Sequence, residues 1–157
     1  MTTCFDFTPR RSQLQSAERQ YDSLGQVTGG HKYFYDGTPV PGQQFDYSFD
    51  TIGNRTQTKA GGDQTGGNQR VAAYTANNLN QYTSRDYPGT NDVIGAALAT
   101  NGVTVNGTAA WRKGEYFWAT VKTNNTSSLA WLGTTVARGG ITNTGHGERH
   151  CDELCEL

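Results

Sequence analysis

The sequence feature that most constrains the fold is a short segment that occurs three times at nearly equal spacing. The three copies are Tyr21–Thr28, Phe49–Thr56 and Ala76–Thr83. Each copy has an aliphatic residue at its fourth position; 28 residues separate Leu24 from Ile52, and 27 separate Ile52 from Leu79. A repeat with a period in this range predicts that each copy folds into the same small unit and that neighbouring units pack side by side.

The polar residues of the repeat predict a turn in each copy. Asp or Asn stands at the second position and Gly or Asn at the fifth, in the pairs Asp22 and Gly25, Asp50 and Gly53, and Asn77 and Asn80. Asp and Asn side chains bond to backbone N–H groups two residues on, and Gly and Asn best tolerate a positive φ. We therefore predict an Asx-initiated turn between two strands in each copy. For Asp22 and Asp50 this favours a structural role over acid–base catalysis.

The residues between the turns alternate in the way that predicts strands. The run Phe45–Phe49 has an aromatic residue at every second position, so its aromatic side chains share one face. The run Lys32–Tyr35 predicts another strand. The Gly-rich run Gly61–Asn68 has neither period nor apolar residues, and we predict a flexible loop there. The sequence therefore indicates an all-β chain that contains antiparallel β-hairpin repeats.

The repeated strings resemble the YD repeats of bacterial Rhs proteins. The resemblance lies in Tyr21–Gly25, Phe45–Thr56 and above all Tyr74–Tyr82, and it extends over residues 19–86. In that family many repeats wind as a continuous β-hairpin spiral into a hollow shell, often around a C-terminal toxin or effector domain. The resemblance implies a non-catalytic structural segment of a secreted or cell-surface shell, which encloses or displays a toxin or effector or mediates cell-surface contact. It also implies that its partners are neighbouring repeats of a larger parent chain, or other copies through the sheet edges.

Residues 87–140 do not continue the repeat and predict a β-rich module of their own. Asn106-Gly107 is a dipeptide favoured in tight hairpins, and it follows the run Ala97–Val105. Trp111–Val121 contains a Lys-Gly turn followed by an aromatic strand, and Leu129–Val136 reads as a closing strand. We therefore expect a small antiparallel β-sheet or half-sandwich after the repeats.

The two ends of the chain differ from both parts. We predict an irregular N-terminal segment at residues 1–18. Residues 141–157 are polar and lack strand alternation, which predicts an irregular tail. This tail departs from the Rhs pattern, which suggests either a truncated or frame-shifted reading frame or residues unrelated to the parent protein.

Aromatic residues of the module suggest an alternative function. Trp111, Tyr116, Trp118 and Trp131 on an antiparallel sheet could form a platform on which sugar rings stack. The alternative to a shell segment is therefore a carbohydrate- or surface-binding module. A small module with few aliphatic residues also needs its aromatic side chains for the core, where each buries a large apolar area.

The sequence gives little reason to expect a metal site or an enzyme. His146, His150, Cys151 and Cys155 are weak candidates for a metal, because they lack the two separated ligand pairs of a zinc site. Neither Cys4 nor Cys151 lies in an orienting motif for a nucleophile, and no Gly-x-Ser-x-Gly elbow occurs. We expect no cofactor and no catalytic residue.

Composition argues against several further classes of protein. The net charge is -1, with 13 basic and 14 acidic residues scattered along the chain, so we expect no nucleic-acid binding. No window approaches the roughly 18 apolar residues that span a bilayer, and the first residues lack the apolar stretch of a signal peptide. Hydrophobic residues make up 34% of the chain and 20 residues are Gly, which predicts a turn-rich protein without a large core.

Overall fold

The computed structural model describes residues 3–5, 15–123 and 132–147, and these residues form β-strands joined by turns, with no helix among them. The strands are β1 (Thr3–Phe5), β2 (Gln15–Tyr21), β3 (Val27–Phe34), β4 (Pro39–Phe49), β5 (Arg55–Gly61), β6 (Gln69–Ala76), β7 (Tyr82–Arg85), β8 (Thr90–Ala96), β9 (Val103–Val105), β10 (Thr108–Ala109), β11 (Trp111–Lys113), β12 (Tyr116–Lys122), β13 (Leu132–Arg138) and β14 (Ile141–Gly147). The chain divides into two compact units, Pro9–Pro88 and the combination of Met1–Thr8 with Gly89–Leu157. The prediction of an all-β chain is confirmed for the described residues.

The first unit contains a six-stranded antiparallel sheet, the repeat sheet, in the order β2-β3-β4-β5-β6-β7. Each strand pairs with the strand that follows it in the chain. Because successive strands run in opposite directions, the turns after β2, β4 and β6 lie at one end of the sheet and the turns after β3 and β5 at the other. The pairing register shifts beside each of the turns after β2, β4 and β6, at Gln20/Tyr21, Ser48/Phe49 and Thr75/Ala76.

The two faces of the repeat sheet differ in their chemistry. Strand alternation places three half-buried aromatic side chains of β4 on one face: Phe45, Tyr47 and Phe49. On the other face, Oδ1 of Asp46 lies 2.8 Å from Nε2 of His31, and Oδ2 of Asp46 accepts a hydrogen bond from Nε2 of Gln69 at 2.7 Å. These bonds connect β3, β4 and β6 across the polar face.

The loop predicted at Gly61–Asn68 lies between β5 and β6, with Gly61 as the last residue of β5, and it contains a hydrogen-bonded turn. The N–H of Asp63 donates to the carbonyl of Gly67 at 2.8 Å, and Oδ1 of Asp63 accepts from the N–H of Thr65 at 2.8 Å. Gly62 is buried with a φ of 85°, and a Cβ at this position would lie 3.2 Å from the carbonyl oxygen of Gly67. The glycines therefore permit a tightly packed hairpin turn at this position.

The second unit is a sandwich of two four-stranded sheets, ordered β1-β8-β12-β11 and β10-β9-β13-β14. One buried cluster takes side chains from both sheets: Val93, Ala97, Val103, Val105, Phe117 and Val136. The two sheets therefore pack face to face around a shared core. Pairing is antiparallel as predicted, except between β1 and β8, which run parallel.

One stretch of chain belongs to both sheets of the sandwich. β10 pairs with β9 and β11 pairs with β12, yet only Ala110 separates β10 from β11. The turn before this stretch has positive φ at both central residues, 49° at Asn106 and 77° at Gly107, as a type I′ hairpin requires. Asn106 also donates its N–H to the carbonyl of Thr135 and accepts from the N–H of Thr135 at Oδ1, both at 2.9 Å, which connects this turn to β13.

Both ends of the chain contain strands that the sequence did not predict. β1 and most of β2 lie within the segment 1–18, and β14 pairs along its whole length with β13. Pairing through the backbone does not need an alternation of apolar side chains, so the polar sequence of β14 gave no signal. The closing strand begins at Leu132; residues 129–131 and 148–157 lie outside the described residues.

Candidate functional site

The three predicted repeat turns share one backbone geometry. Each turn has five residues, counted from its Asp or Asn. The N–H of the first turn residue donates to the carbonyl of the fifth, and the N–H of the fourth donates to the carbonyl of the first, at 2.9 to 3.2 Å. The first residues are Asp22, Asp50 and Asn77, and the fourth are Gly25, Gly53 and Asn80, with φ of 79°, 91° and 60°. A type I turn followed by a left-handed residue is a common three-residue hairpin connection. The three turns lie in sequence along one end of the repeat sheet and are together named the turn row.

The side chain of the first residue holds each turn closed. Oδ1 of Asp50 accepts from the N–H of Ile52 at 3.1 Å and from the N–H of Asn54 at 2.8 Å. The equivalent pairs of bonds occur at Asp22 with Leu24 and Gln26, and at Asn77 with Leu79 and Gln81. These hydrogen bonds, and first of all the one from the Asn54 side chain, lower the pKa of the Asp50 carboxyl below its ordinary value.

The fifth residue of each turn adds a side-chain bond that sequence reasoning missed. The amides of Gln26 and Asn54 donate to Oδ2 of Asp22 and Asp50, at 3.0 and 2.9 Å. In the third turn the roles are reversed, because the first residue is an amide: Asn77 Nδ2 donates to Gln81 Oε1 at 3.1 Å. The signal was present in the sequence, since an amide residue follows the Gly or Asn in all three copies.

The second and third turns of the row touch each other, and the first turn approaches the second. Nδ2 of Asn54 donates to Oδ1 of Asn80 at 3.2 Å, and the N–H of Arg55 donates to the hydroxyl of Tyr82 at 2.8 Å. A Cβ on Gly53 would lie 3.6 Å from Oε1 of Gln26. The fifth residue of one turn and the fourth residue of the next are therefore neighbours in both pairs of copies.

Guanidinium groups on aromatic rings reinforce the strands beside the turn row. The Arg55 guanidinium lies 4.9 Å from the ring centroid of Tyr47, and that of Arg85 lies 5.2 Å from the ring of Tyr74. The Tyr74 and Tyr82 rings meet edge-on at 5.5 Å. Contacts of this kind contribute about 0.5–1 kcal/mol at partly exposed sites.

The aliphatic residues of the turn row are exposed to solvent. Leu24 is 72% exposed, Ile52 68% and Leu79 76%. They lie at the tips of turns that are two strands apart, so equivalent positions repeat at about 10 Å. The row therefore presents aliphatic side chains at regular intervals on one end of the sheet.

A second candidate site is a cleft in the sandwich, the aromatic cleft. It has a volume of about 390 Å³, and its lining comprises Val105, Asn106, Thr108, Ala109, Trp111 and the run Trp118–Lys122. Trp111 and Trp118 are directly opposite each other on β11 and β12, and both are half-buried. Tyr116 is on the same strand as Trp118 but does not line the cleft. Trp131 lies outside the described residues.

The remaining candidates from the sequence do not come together in the described part of the chain. No three His, Cys, Asp or Glu side chains are grouped there so as to hold a metal ion. The backbones of Cys4 and His146 belong to β1 and β14, while His150, Cys151 and Cys155 are not among the described residues. The weak zinc candidate therefore stays a prediction.

No family model, no curated protein and no solved structure matches this chain. Within the described ranges, no helix is long and apolar enough to cross a membrane.

Proposed function

We propose that this chain is a non-catalytic structural segment of an Rhs/YD-repeat shell. The observation that carries the proposal is the turn row, in which three copies of a similar sequence share the same backbone bonds and the second and third copies are joined by two further hydrogen bonds. Such nearest-neighbour contacts are what a stack of repeats requires. The function of the segment is then to form part of a wall that encloses or displays a toxin or effector, or that contacts a cell surface, in a secreted or surface protein.

The edges of the repeat sheet support this proposal. Among the described strands β7 pairs with β6 alone, and all four residues of β7 are exposed. An edge strand carries N–H and C=O groups that another strand can bind. A further copy of the repeat would add two strands here and extend the turn row by one turn. The partners are thus neighbouring repeats of a larger parent, or other copies of this chain.

The exposed aliphatic row supports the same conclusion. Isolated apolar residues are common on protein surfaces, but Leu24, Ile52 and Leu79 are exposed at equivalent positions of three copies. A regular row of this kind provides an apolar strip that other parts of a shell can cover.

Light scattering on eluted size-exclusion fractions over a range of concentrations tests the proposal. We expect the chain to self-associate, because β7 offers an unpaired edge. The N–H of Asp86 donates to the carbonyl of Ala73, so strand alternation directs the N–H of Arg85 away from β6. Arg85→Pro removes this N–H and should reduce association; Arg85→Ala keeps it and controls for the lost guanidinium. A chain that stays monomeric at every concentration contradicts the proposal.

A second candidate function is ligand binding by the sandwich, as in a carbohydrate- or surface-binding module. The observation that favours it is the aromatic cleft, because Trp111 and Trp118 both line an open depression. Trp118 is a poor probe of binding, since its indole N–H donates to the buried Asp92. Trp111→Ala is the better variant: loss of binding to immobilised oligosaccharides with an unchanged melting temperature supports the module, and unchanged binding contradicts sugar recognition by this residue.

A further inference from the structure

We propose that the aromatic cleft binds an extended peptide, which adds to the edge of β12 as a further strand. The inference rests on the second candidate function and replaces its sugar ligand by a ligand of another class. It is carried by the strand pairing around the cleft and by the direction of the backbone groups that line it.

The cleft is the place where two paired strands separate. Trp111 of β11 is opposite Trp118 of β12, and continuing this register would bring Ala109 opposite Thr120. Ala109 instead pairs with Thr104 on the other sheet. Both Ala109 and Thr120 line the cleft. On the side of β12 that faces β11, the described strands therefore provide no partner beyond Trp118.

Hydrogen bonds at both ends of β12 fix the direction of its backbone groups. The N–H of Thr123 donates to the carbonyl of Gly89 at 2.8 Å, and the carbonyl of Glu115 accepts from the N–H of Ala97 at 2.7 Å. These odd-numbered residues point towards β8. Because N–H and C=O directions alternate along an antiparallel strand, the even-numbered Thr120 points its N–H and C=O to the side that β11 has left.

The same alternation applies to Lys122, so two N–H and C=O pairs face this side at a spacing of about 7 Å. A peptide strand has the matching spacing, and strand addition to a sheet edge is an established mode of peptide recognition. A sugar ring has hydroxyl groups but not this alternation of donor and acceptor. The backbone pattern thus favours a peptide over a carbohydrate.

The lining of the cleft determines the side chains that such a peptide would carry. Half-buried Trp111 provides apolar surface for one side chain of the peptide, whereas Val105 belongs to the buried core. Lys122 is exposed at the end of β12 and favours an acidic residue opposite it. The volume of about 390 Å³ falls in the range of sites that bind small ligands or short segments.

The test measures binding of a fluorescent, end-capped heptapeptide of alternating Val and Thr with one Asp, by anisotropy on the full chain. Thr120→Pro removes one N–H that faces the cleft and leaves the ladder to β8 intact, as Pro is tolerated on an edge whose N–H is not paired. Thr120→Val keeps the N–H and is the matched control. We expect Thr120→Pro to weaken binding about tenfold, as for one or two lost backbone bonds, and Thr120→Val to bind as the unmodified chain does.

A second comparison keeps the chain unmodified and changes the peptide, which decides the matter even where Thr120→Pro does not fold. Methylating the peptide nitrogens at alternate residues should abolish binding for one set of positions and not for the other. Equal binding of both methylated peptides, or no binding of the parent peptide, overturns the inference.

If cellohexaose binds and the peptide does not, the peptide inference fails and the ligand-binding function stands; if neither binds, both fail. The shell proposal is unaffected, since light scattering tests it separately.

Discussion

Trp118 donates its indole N–H to Oδ1 of Asp92 at 2.9 Å, and Asp92 is only 1% exposed. The two residues lie on neighbouring strands, with Trp118 opposite Ile94 and Asp92 two residues before Ile94 on β8. A buried carboxylate needs hydrogen-bond donors, because desolvation of an unsatisfied charged group is costly. One of the aromatic residues that the sequence offered for sugar binding thus has a structural role in the sandwich.

The first prediction concerns this bond. Trp118→Phe keeps an aromatic ring but removes the donor to Asp92, and we expect it to lower the free energy of unfolding by about 1–3 kcal/mol. Tyr35→Phe, at a position that is 74% exposed, is the control and should cost less than about 0.5 kcal/mol. Urea denaturation followed by circular dichroism measures both, and equal losses would show that the bond to Asp92 contributes little.

The second prediction concerns the Gly-rich turn. Gly62 has a φ of 85°, and a Cβ there would approach the carbonyl of Gly67 to 3.2 Å, whereas a Cβ on Gly30 would meet nothing within 4 Å. We expect Gly62→Ala to destabilise the chain by about 1–2 kcal/mol or more, from the left-handed backbone alone. Gly30→Ala should change stability by less than about 0.5 kcal/mol. Thermal melts compare the two, and a tolerated Gly62→Ala would contradict the expected cost of the left-handed backbone and the close approach to Gly67.

The third prediction follows from the lowered pKa values of Asp50 and Asp63. The first is caused mainly by the Asn54 side chain and the second mainly by the Thr65 side chain. A carboxyl whose pKa is lower in the folded chain stabilises it above the unfolded value of about 3.9, and this contribution is lost as the pH falls through the folded value. We expect stability to decline below about pH 4 for this reason.

The double variant Asp50→Asn and Asp63→Asn tests the origin of this decline. Asn preserves the turn bonds to the backbone, as Asn77 does in the third turn, but it does not titrate in this range. We expect a flatter dependence of the melting temperature on pH between about 2 and 5. An unchanged slope would assign the acid sensitivity to other carboxyls.

The fourth prediction concerns Arg112. Its Nη1 donates to the carbonyl of Asn101, and its Nη2 donates to the carbonyls of Ala97 at 2.7 Å and of Leu98 and Gly114 at 3.1 Å. Burial lowers the pKa of the guanidinium, and Glu115 opposes this shift. Loops before β9 and after β11 are thus held by one side chain.

Lys cannot bond to several carbonyls in the planar arrangement of a guanidinium. We expect Arg112→Lys to reduce the unfolding free energy by about 1.5–3 kcal/mol, measured by urea denaturation. Lys122→Ala, at an exposed position, serves as control and should lie within about 0.5 kcal/mol of the unmodified chain. A loss of similar size in both variants would contradict the role of Arg112.

The turn row could be anticipated from the sequence because its geometry depends on a few side chains. Asp50 and Gly53 are a capping acceptor and a residue suited to positive φ, and no distant contact is needed to specify them. Asp63 and Gly66 have the same spacing, and Gly66 has a φ of 80°. This turn was missed because the surrounding glycines resemble a flexible linker.

Other features depend on contacts between distant parts of the chain. The parallel pairing of β1 with β8 joins residues about ninety positions apart, such as Thr3 and Val93, and no local pattern specifies such a partner. The pairing of β14 with β13 is local by contrast, because only Gly139 and Gly140 separate the two strands, and it was missed because β14 lacks an apolar alternation. The aromatic cleft exists because the chain changes sheets at Ala110, and the sequence alone gives no sign of this change.

The alternation of turns between the two ends of the repeat sheet limits how such a chain can change in length. Deleting one strand with one turn would move every later turn of the row to the opposite end, and deleting a single residue within a strand would exchange its two faces. Removing or adding a whole copy of two strands keeps the turns of the row at one end of the sheet and keeps the two faces of every strand. Arrays of this kind are therefore expected to grow and shrink in evolution by steps of 27 or 28 residues, the spacings that separate Leu24, Ile52 and Leu79.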